Sequence, residues 1–324
     1  LESILGKLPS DDPRLTKGAG IGFDAAIVDN GSTYLVYTTD PITFATDEIG
    51  WYLVQINTND IATTGAIPQW LLVTLLLPEK QADEQLVGMI TDQINAACRD
   101  IGVSVIGGHT EITGGITRPI AIGTMIGELG KDRLVTPDGA APGDKVLLTK
   151  SVPIEATAIL AREFPERLGD LLSDDRIAEA KNYLYKPGIS VLKEAQLAVT
   201  AGRVTAMHDP TQGGIYAALW EISKACGHPV HIQRDAIPVT ELSAQICKEF
   251  HIDPMKAIAS GALLIAAPEE DVPAIQEAFT DSGIDCTVIG EIRDGESGLY
   301  HRKDGVPEQI ALPERDEIAR VFEG

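Results

Sequence analysis

The chain has 324 residues and a formal net charge of −22, and 44% of its residues are hydrophobic. A surface this acidic repels nucleic-acid backbones and anionic membranes, which excludes both as expected partners. The length exceeds that of one ordinary core, and no apolar run approaches a membrane span. We therefore expect a soluble, cytoplasmic protein of two domains.

The cysteines give no sign of a disulfide framework or of a zinc site. Four of them are spread through the chain, and no two are spaced as a Cys-x-x-Cys pair. We expect all four to be reduced, in keeping with a cytoplasmic protein. Cys98 falls on the apolar stripe of a predicted helix, so we interpret it as a packed hydrophobic residue rather than a nucleophile.

The first clear pattern is the glycine-rich stretch GAGIGFDAAIVDNG at residues 18–31. Its glycine spacing approaches that of a dinucleotide-binding loop, but such a loop is followed by a helix. Here the next residues, DAAIVD, read as a β-strand. The stretch is therefore either a tight structural turn or a phosphate-holding loop of another kind.

A long helix is predicted from Thr46 to Thr64. Thr46 is a suitable N-cap, and Asp47 and Glu48 fall in the first turn, where the helix dipole favours acids. Gly65 suits the position just after the C-terminal end.

Polar side chains interrupt this otherwise apolar helix. Asn57 and Asp60 are three residues apart and therefore share one face. Elsewhere, Asp24 begins a predicted strand, Asp40 ends one, and Glu111 follows a third. Carboxylates at the ends of separate elements are how proteins assemble a Mg²⁺ and phosphate site from distant positions. A hydrogen-bonded core stripe or a solvated edge is the alternative interpretation.

Strands and helices continue through the rest of the chain. Apolar runs predict strands at QWLLVTLLL, VSVIG and RPIAIGTMIGEL, with an amphipathic helix after the first. The turn-rich segment DGAAPGDK follows residue 135 and predicts a boundary between domains 1–135 and 136–324. Strands at VTAM, GALLIAAP and CTVIGEI then alternate with helices. Directly paired strands mixed with long helices indicate an α+β fold.

Two of these strands also predict an oligomer. QWLLVTLLL and RPIAIGTMIGEL are apolar on both faces, and a small domain has few helices to cover both faces of its sheet. A second copy of the sheet is a natural cover, so we expect a homodimer formed through the N-terminal domain.

The segment AMHDPTQGGI carries the main polar motif of the second half. It follows a predicted strand and opens a helix, so the N–H groups of Gly213 and Gly214 lie at a helix N-terminus suited to a phosphate or carboxylate. His208, Asp209 and Thr211 are the polar neighbours. A purely structural turn is the alternative.

Five motifs in order and spacing resemble those of the aminoimidazole-ribonucleotide (AIR) synthase, or PurM-like, superfamily. The resemblance is strongest to the branch of the hydrogenase maturation factor HypE. The motifs are GIGFDAAIV, TTDPITFATDEIGWYLVQINTNDIATTGAIP, GVSVIGGHTEIT, MHDPTQGGI and ASGALLIAA.

The resemblance implies a two-domain PurM-like fold, with an N-terminal domain that binds ATP and Mg²⁺ and dimerises through its sheet. Members transfer the γ-phosphate of ATP to an oxygen, either as kinases or to activate an amide or carboxylate. Phosphorylating an amide oxygen turns a poor leaving group into a good one, so the side chains need only position the reactants and neutralise charge. No catalytic residue is assigned.

Carried over position by position, the resemblance implies roles for several residues. The implied metal ligands are Asp24, Asp40 and Asp60, with Glu111 in addition. The implied nucleotide contacts are Lys17, Gly20 and Gly22 in a loop over the phosphates, Asn57 beside the acids, Gly107, Gly108 and Thr110 in a phosphate-facing turn, and His208, Asp209, Thr211, Gly213 and Gly214 in the second domain.

The chain departs from the family pattern at several positions. Phe23 and His109 stand where relatives commonly have acids, and a neutral histidine is a poor ligand for Mg²⁺. Ser151 and Ala156 stand where glycines are common. The chain ends DEIARVFEG, and its last cysteine, Cys286, falls in a predicted strand, so we expect no carbamoyl transfer through a terminal thiol.

Three functions remain open at this point. The first is an ATP- and Mg²⁺-dependent enzyme that phosphorylates or activates an oxygen of a small molecule. The second is a small-molecule kinase like thiamine-monophosphate kinase. The third, suggested by Phe23 and His109, is a catalytically silent nucleotide sensor.

Overall fold

The computed structural model describes residues 11–43, 47–303 and 306–323. The chain divides into two compact units. The first contains the chain up to Ala19 together with Asp24–Leu134, and the second contains Gly20–Phe23 together with the chain from Val135 onwards.

The first unit is built on a six-stranded sheet with the order β1-β2-β3-β6-β4-β5. Its strands are β1 (Leu15–Lys17), β2 (Ala26–Asp29), β3 (Thr33–Ile42), β4 (Ile67–Pro78), β5 (Ser104–Thr113) and β6 (Ile120–Gly130). All neighbouring pairs are antiparallel except β4 and β5, which are parallel.

In the described part of this unit two helices accompany the sheet, α1 (Ile49–Thr63) and α2 (Glu84–Ile101). Helix α1 packs on β3 and β6, and α2 packs on α1. The side chain of Asp83 caps α2 by accepting a hydrogen bond from the Leu86 N–H at 2.8 Å. Cys98 lies buried on the inner face of α2, and burial raises the pKa of its thiol to about 11, as expected of a packed hydrophobic residue.

The start of α1 corrects the sequence prediction. The helix begins at Ile49, so Asp47 and Glu48 precede it instead of lying in its first turn. The predicted N-cap, Thr46, lies outside the described residues. The other end is as predicted, because Gly65 follows the helix with a left-handed φ of 80°.

Two further corrections concern the strands. Gly107, Gly108 and Thr110 lie inside β5 rather than in a turn, and Glu111 lies within the same strand rather than after it. Asp40 lies inside β3 and does not end it. Both predictions were wrong for the same reason. The apolar pattern ends before these residues, but in the structure each strand continues through them.

The second unit is built on a seven-stranded sheet with the order β13-β12-β9-β11-β7-β10-β8. Its strands are β7 (Lys145–Thr149), β8 (Ala206–His208), β9 (Val230–Ile232), β10 (Leu264–Ala267), β11 (Cys286–Ile292), β12 (Leu299–Lys303) and β13 (Val306–Gln309). Of the neighbouring pairs in this order, β9 and β12 are parallel and the others are antiparallel.

Eight helices accompany this sheet in the described part of the second unit. They are α3 (Ile154–Glu163), α4 (Pro165–Gly169), α5 (Asp174–Lys181), α6 (Leu192–Ala201), α7 (Gly214–Cys226), α8 (Glu241–Glu249), α9 (Val272–Asp281) and α10 (Glu317–Glu323). Leu219 and Ile222 of α7 join Leu148 and Ile289 of the sheet in a buried core. This packing fixes the N-terminal end of α7, where the HDPTQGG motif lies. The two mixed α+β units agree with the predicted fold class.

Among the described residues, none of the helices combines the length and the apolar character needed to cross a membrane.

Candidate functional site

Three of the residues predicted to bind metal lie around one hydroxyl group, Asp40 and Asp60 through their carboxylates and Asp24 through its main-chain carbonyl. Thr38 Oγ1 in β3 lies 2.7 Å from Asp60 Oδ2, 2.9 Å from the Asp24 carbonyl oxygen and 3.5 Å from Asp40 Oδ2. A hydroxyl has one proton to donate, so it can satisfy only one of these three acceptors at a time. Three oxygen acceptors from separate parts of the chain therefore lie around Thr38.

Asn57 holds the helix to the sheet beside these acids. Its side chain is fully buried, its Oδ1 accepts a hydrogen bond from the Asp40 N–H at 3.1 Å, and its Nδ2 donates to the Leu53 carbonyl at 2.9 Å. A Cβ at Gly123, the residue opposite Asp40, would lie 2.7 Å from Asn57 Nδ2. Glycine therefore permits this close approach, and Asn57 positions Asp40.

The acids differ in exposure. Asp60 is 4% exposed, Asp40 is partly exposed, and Asp24 is exposed at the start of the segment that leads into β2. Carboxylate, carbonyl and hydroxyl oxygens form a donor set that suits a hard divalent cation such as Mg²⁺. The residues around Thr38 therefore fit a metal of this kind.

Glu111 lies apart from this set within one chain. Asp40 in β3 lies opposite Gly123 in β6, which lies opposite Val73 in β4, which lies opposite Gly108 in β5. Glu111 is three residues further along β5 than Gly108. Three strand spacings place Asp40 and Gly108 about 14 Å apart. Glu111 instead lies 3.9 Å from the exposed ring of His109, measured from Oε2 to Nε2.

In the second unit, Glu221 contacts two parts of the predicted site, His208 and the glycine-rich segment. His208, at the end of β8, is 2% exposed, and its Nε2 lies 2.8 Å from Glu221 Oε2. The glycine-rich segment packs against the backbone of the same residue, because a Cβ at Gly22 would lie 2.9 Å from the Glu221 carbonyl oxygen. Gly20 forms an isolated bridge with Phe23. Part of the opening glycine stretch thus lies beside the HDPTQGG motif.

The remaining predicted residues occupy two places. Asp209 is buried directly after β8, and the Thr211 carbonyl accepts a hydrogen bond from the Gly214 N–H at 3.0 Å. Lys17 ends β1 in the first unit.

The glycine turn before α7 has the backbone expected of an anion-binding turn. Gly213 and Gly214 have φ values of 82° and 66°. A Cβ at Gly214 would lie 2.7 Å from the carbonyl oxygens of Met255 and Ala257, so no larger residue fits. However, the Gly213 N–H already donates to Asp316 Oδ2 at 2.7 Å.

Sequence reasoning missed four residues that shape these sites. They are Thr38, Gly123, Glu221 and Asp316. The polar pair Thr38-Thr39 inside an otherwise apolar strand was a usable signal for Thr38. The other three act through contacts between residues distant in the chain, which no local pattern reveals.

These features define a class of two-unit α+β proteins with an acidic site in the first unit and a glycine turn in the second. Residues 22–129 match the family model described as AIR synthase related protein, N-terminal domain, and residues 141–301 match the C-terminal domain of the same family. The chain belongs to the AIR synthase-related family of the PurM-like superfamily, which confirms the resemblance seen in the sequence.

Curated relatives come from two branches of this superfamily. The chain is 28% identical to thiamine-monophosphate kinase of Pyrococcus horikoshii, over 90% of this chain and 89% of that protein. It is 29% identical to carbamoyl dehydratase HypE of Rhizobium leguminosarum, over 79% of this chain and 71% of that protein.

Solved structures from both branches share the fold. The structure of hydrogenase maturation protein HypE in complex with ATP gives a TM-score of 0.74 at 24% identity, over 94% of this chain and 91% of that one. The structure titled AaThiL complexed with AMPPCP and TMP gives 0.72 at 20% identity, over 92% and 91%.

Proposed function

We propose that this protein is an ATP- and Mg²⁺-dependent enzyme that phosphorylates or activates an oxygen of a small molecule. The observation that carries this proposal is the set of three oxygen acceptors around the single proton of Thr38 Oγ1. Clustered carboxylate and carbonyl oxygens favour a hard divalent cation, and the relatives whose structures contain ATP or AMPPCP share this fold.

Asp24, Asp40 and Asp60 are the residues that would hold Mg²⁺. When bound, the ion would supply positive charge to the nucleotide phosphates. The chain's own contribution is to fix Asp40 through Asn57 and Asp60 through Thr38, so that the oxygen atoms are held before a ligand arrives.

The second unit is proposed to bind the anionic part of a ligand. The turn at Gly213 and Gly214 lies at the N-terminus of the 13-residue helix α7, where backbone N–H groups favour phosphate or carboxylate. His208 is held in place by Glu221, and Asp209 and Thr211 lie between it and the turn.

Calorimetric titration with ATP, in the presence and absence of Mg²⁺, tests the proposed cofactors. We expect binding to depend on Mg²⁺, because uncompensated carboxylates repel the phosphates. Asp60→Asn should weaken Mg²⁺-dependent binding by about a hundredfold, whereas Asp92→Asn, an exposed acid on α2, should bind as the wild type does. Equal affinity with and without Mg²⁺ would contradict the proposal.

A kinase that acts on a phosphorylated alcohol is the second candidate, favoured by the 28% identity to thiamine-monophosphate kinase. ATP labelled in the γ-phosphate distinguishes the two. A kinase leaves the label on a stable product, whereas transient activation releases it as inorganic phosphate. ATP binding without turnover across candidate metabolites would favour a sensor.

The edge strand β5 supports a homodimer. Val105, Ile106 and Ile112 are 49%, 54% and 60% exposed on this strand, and a second sheet would cover these apolar side chains. Light scattering should give twice the monomer mass, and Ile106→Glu should return the monomer. Met89→Glu, at a 40% exposed position on α2, is the matched control. A monomeric wild type would contradict the proposal.

A further inference from the structure

The C-terminal strap, defined here as residues 311–323, lies across the glycine turn of the second unit. Asp316 Oδ2 accepts a hydrogen bond from the Gly213 N–H at 2.7 Å, and the Glu317 N–H donates to the Lys256 carbonyl at 3.2 Å. Ile318 is 5% exposed. At the far end, the ring centroids of Phe322 and Phe164 are 5.3 Å apart. The strap is therefore fixed at several points along its length.

Asp316 occupies the turn as a bound anion would. Its Oδ2 accepts from the backbone N–H of Gly213, and its Oδ1 accepts from the Ile318 N–H at 2.8 Å. Backbone N–H groups at a helix N-terminus are the groups that hold phosphate and carboxylate ligands. The chain thus supplies its own carboxylate to these donors.

A second carboxyl group close by opposes this arrangement. Glu155 in α3 is 5% exposed, and its Oε2 has no hydrogen-bond partner among the described residues. The Glu155 and Asp316 charges repel each other, and burial disfavours the ionised form of both. The contact that holds the strap is therefore weaker than its hydrogen bonds alone would make it.

We propose that the C-terminal strap is an internal competitor for the glycine turn, with Asp316 holding the Gly213 N–H that a ligand phosphate takes when the strap is displaced. This inference rests on the proposed function, because it assumes that the turn receives an anionic group. The phosphate belongs either to the nucleotide or to the phosphorylated acceptor, and the two sources are separable by titration.

Titration of the full chain with MgATP and, separately, with inorganic phosphate tests the competition. Asp316→Ala frees the Gly213 N–H, so we expect at least one of these ligands to bind about tenfold more tightly. The reason is that the ligand no longer has to break a hydrogen bond to a charged group before it binds. Glu314→Ala, at an exposed acid of the same strap, is the matched control and should leave both affinities unchanged. Tighter MgATP binding assigns the turn to the nucleotide, and tighter binding of phosphate alone assigns it to the acceptor.

A second variant weakens the strap without touching the turn. Phe322→Ala removes the ring contact with Phe164 and should tighten the same ligand by a smaller factor than Asp316→Ala. Hydrogen exchange of the wild type gives an independent measurement, because a saturating concentration of that ligand should speed exchange at the Ile318 amide. Unchanged or slower exchange at that amide would overturn the proposal.

The outcomes separate this proposal from the proposed function. If the wild type binds ATP in a Mg²⁺-dependent way but Asp316→Ala binds both ligands no more tightly than Glu314→Ala, the competition is refuted and the function stands. If MgATP binds to none of the proteins but phosphate binds more tightly to Asp316→Ala, the competition stands and the function is refuted.

Discussion

The two units treat their buried polar groups in different ways. In the first unit, three oxygen acceptors surround the single proton of Thr38 Oγ1. In the second, Lys150 is paired with Glu194 at 2.7 Å, His208 contacts Glu221, and Asp316 caps the Gly213 N–H. An ion pair within the chain supports folding, whereas the oxygen cluster of the first unit is the site proposed to bind a cation. The contrast predicts that a substitution in the buried Lys150–Glu194 pair changes mainly stability, and that a substitution of Asp40 changes mainly metal binding.

The largest loss of stability is expected at the buried ion pair of the second unit. Lys150 also donates to the Gly188 and Ser190 carbonyls, and burial lowers the pKa of its ammonium group. Glu194→Gln leaves this charge without its counter-ion, so the free energy of unfolding should fall by about 3–5 kcal/mol. Chemical denaturation measures it, with the exposed Glu241→Gln as the control. A loss below about 1 kcal/mol would show that the carbonyls alone stabilise Lys150.

The next largest effect is a pH-dependent gain in stability when Glu155 is replaced by glutamine. Burial raises the pKa of this carboxyl group from 4.5 to about 7 in the folded protein. The contribution of Glu155 to the free energy of unfolding is fully present below pH 4.5 and is lost as the pH rises through 7. The loss amounts to about 3 kcal/mol. Glu155→Gln cannot ionise, so it should exceed the wild type in stability by up to that amount at pH 8, and the difference should largely disappear at pH 4.5.

Denaturation at both pH values checks this second effect. Glu166→Gln, at an exposed acid in α4, should show no such pH-dependent difference. A Glu155→Gln variant with the same advantage at both pH values would mean that packing, rather than ionisation, causes the change.

A smaller loss is expected at Asn57, which joins α1 to the sheet of the first unit. Asn57→Ala leaves the Asp40 N–H without its acceptor, which should cost about 1–3 kcal/mol and should also weaken Mg²⁺ binding because Asp40 is no longer held. Asn95→Ala, at an exposed position on α2, is the control. Unaltered Mg²⁺ affinity in a destabilised Asn57→Ala protein would limit Asn57 to a structural role.

The smallest change in stability is expected at Asp40 itself. Asp40→Asn reduces the excess of negative charge near Thr38, so in metal-free buffer the free energy of unfolding should change by no more than about 0.5 kcal/mol or should rise. The increase in Tm that Mg²⁺ gives the wild type should disappear in the variant. Thermal denaturation with and without Mg²⁺ measures both quantities. A variant that Mg²⁺ stabilises as much as the wild type would exclude Asp40 as a ligand.

Much of the fold could be predicted from the sequence because helices and strands follow local patterns of apolar residues. The apolar stripe of α2 and the apolar runs of β4, β6, β8 and β10 follow from helical and strand periodicity. Gly65 marks the end of α1 because glycine adopts the left-handed conformation that commonly ends a helix. The start of α1 was misplaced because acids in a first turn and acids just before it give the same pattern.

The two Gly-Gly pairs show where local pattern is insufficient. Gly107 and Gly108 form part of an extended edge strand, whereas Gly213 and Gly214 form a left-handed turn before a helix. Glycine permits both conformations, so the neighbouring elements decide between them. In the first case that neighbour is the parallel strand β4, and in the second it is the loop that contains Met255 and Ala257.

The sequence by itself determined the α+β class and the family, because residue type and spacing along the chain carry that information, and it predicted Asp24, Asp40 and Asp60 as metal ligands. Only the tertiary structure decided that Thr38 lies among these three residues, that Asn57 accepts a hydrogen bond from the Asp40 N–H, and that Asp316 accepts one from the Gly213 N–H. A hydrogen bond forms over about 3 Å in space, while Gly213 and Asp316 are 103 positions apart in the chain, and only the packed fold brings such groups together.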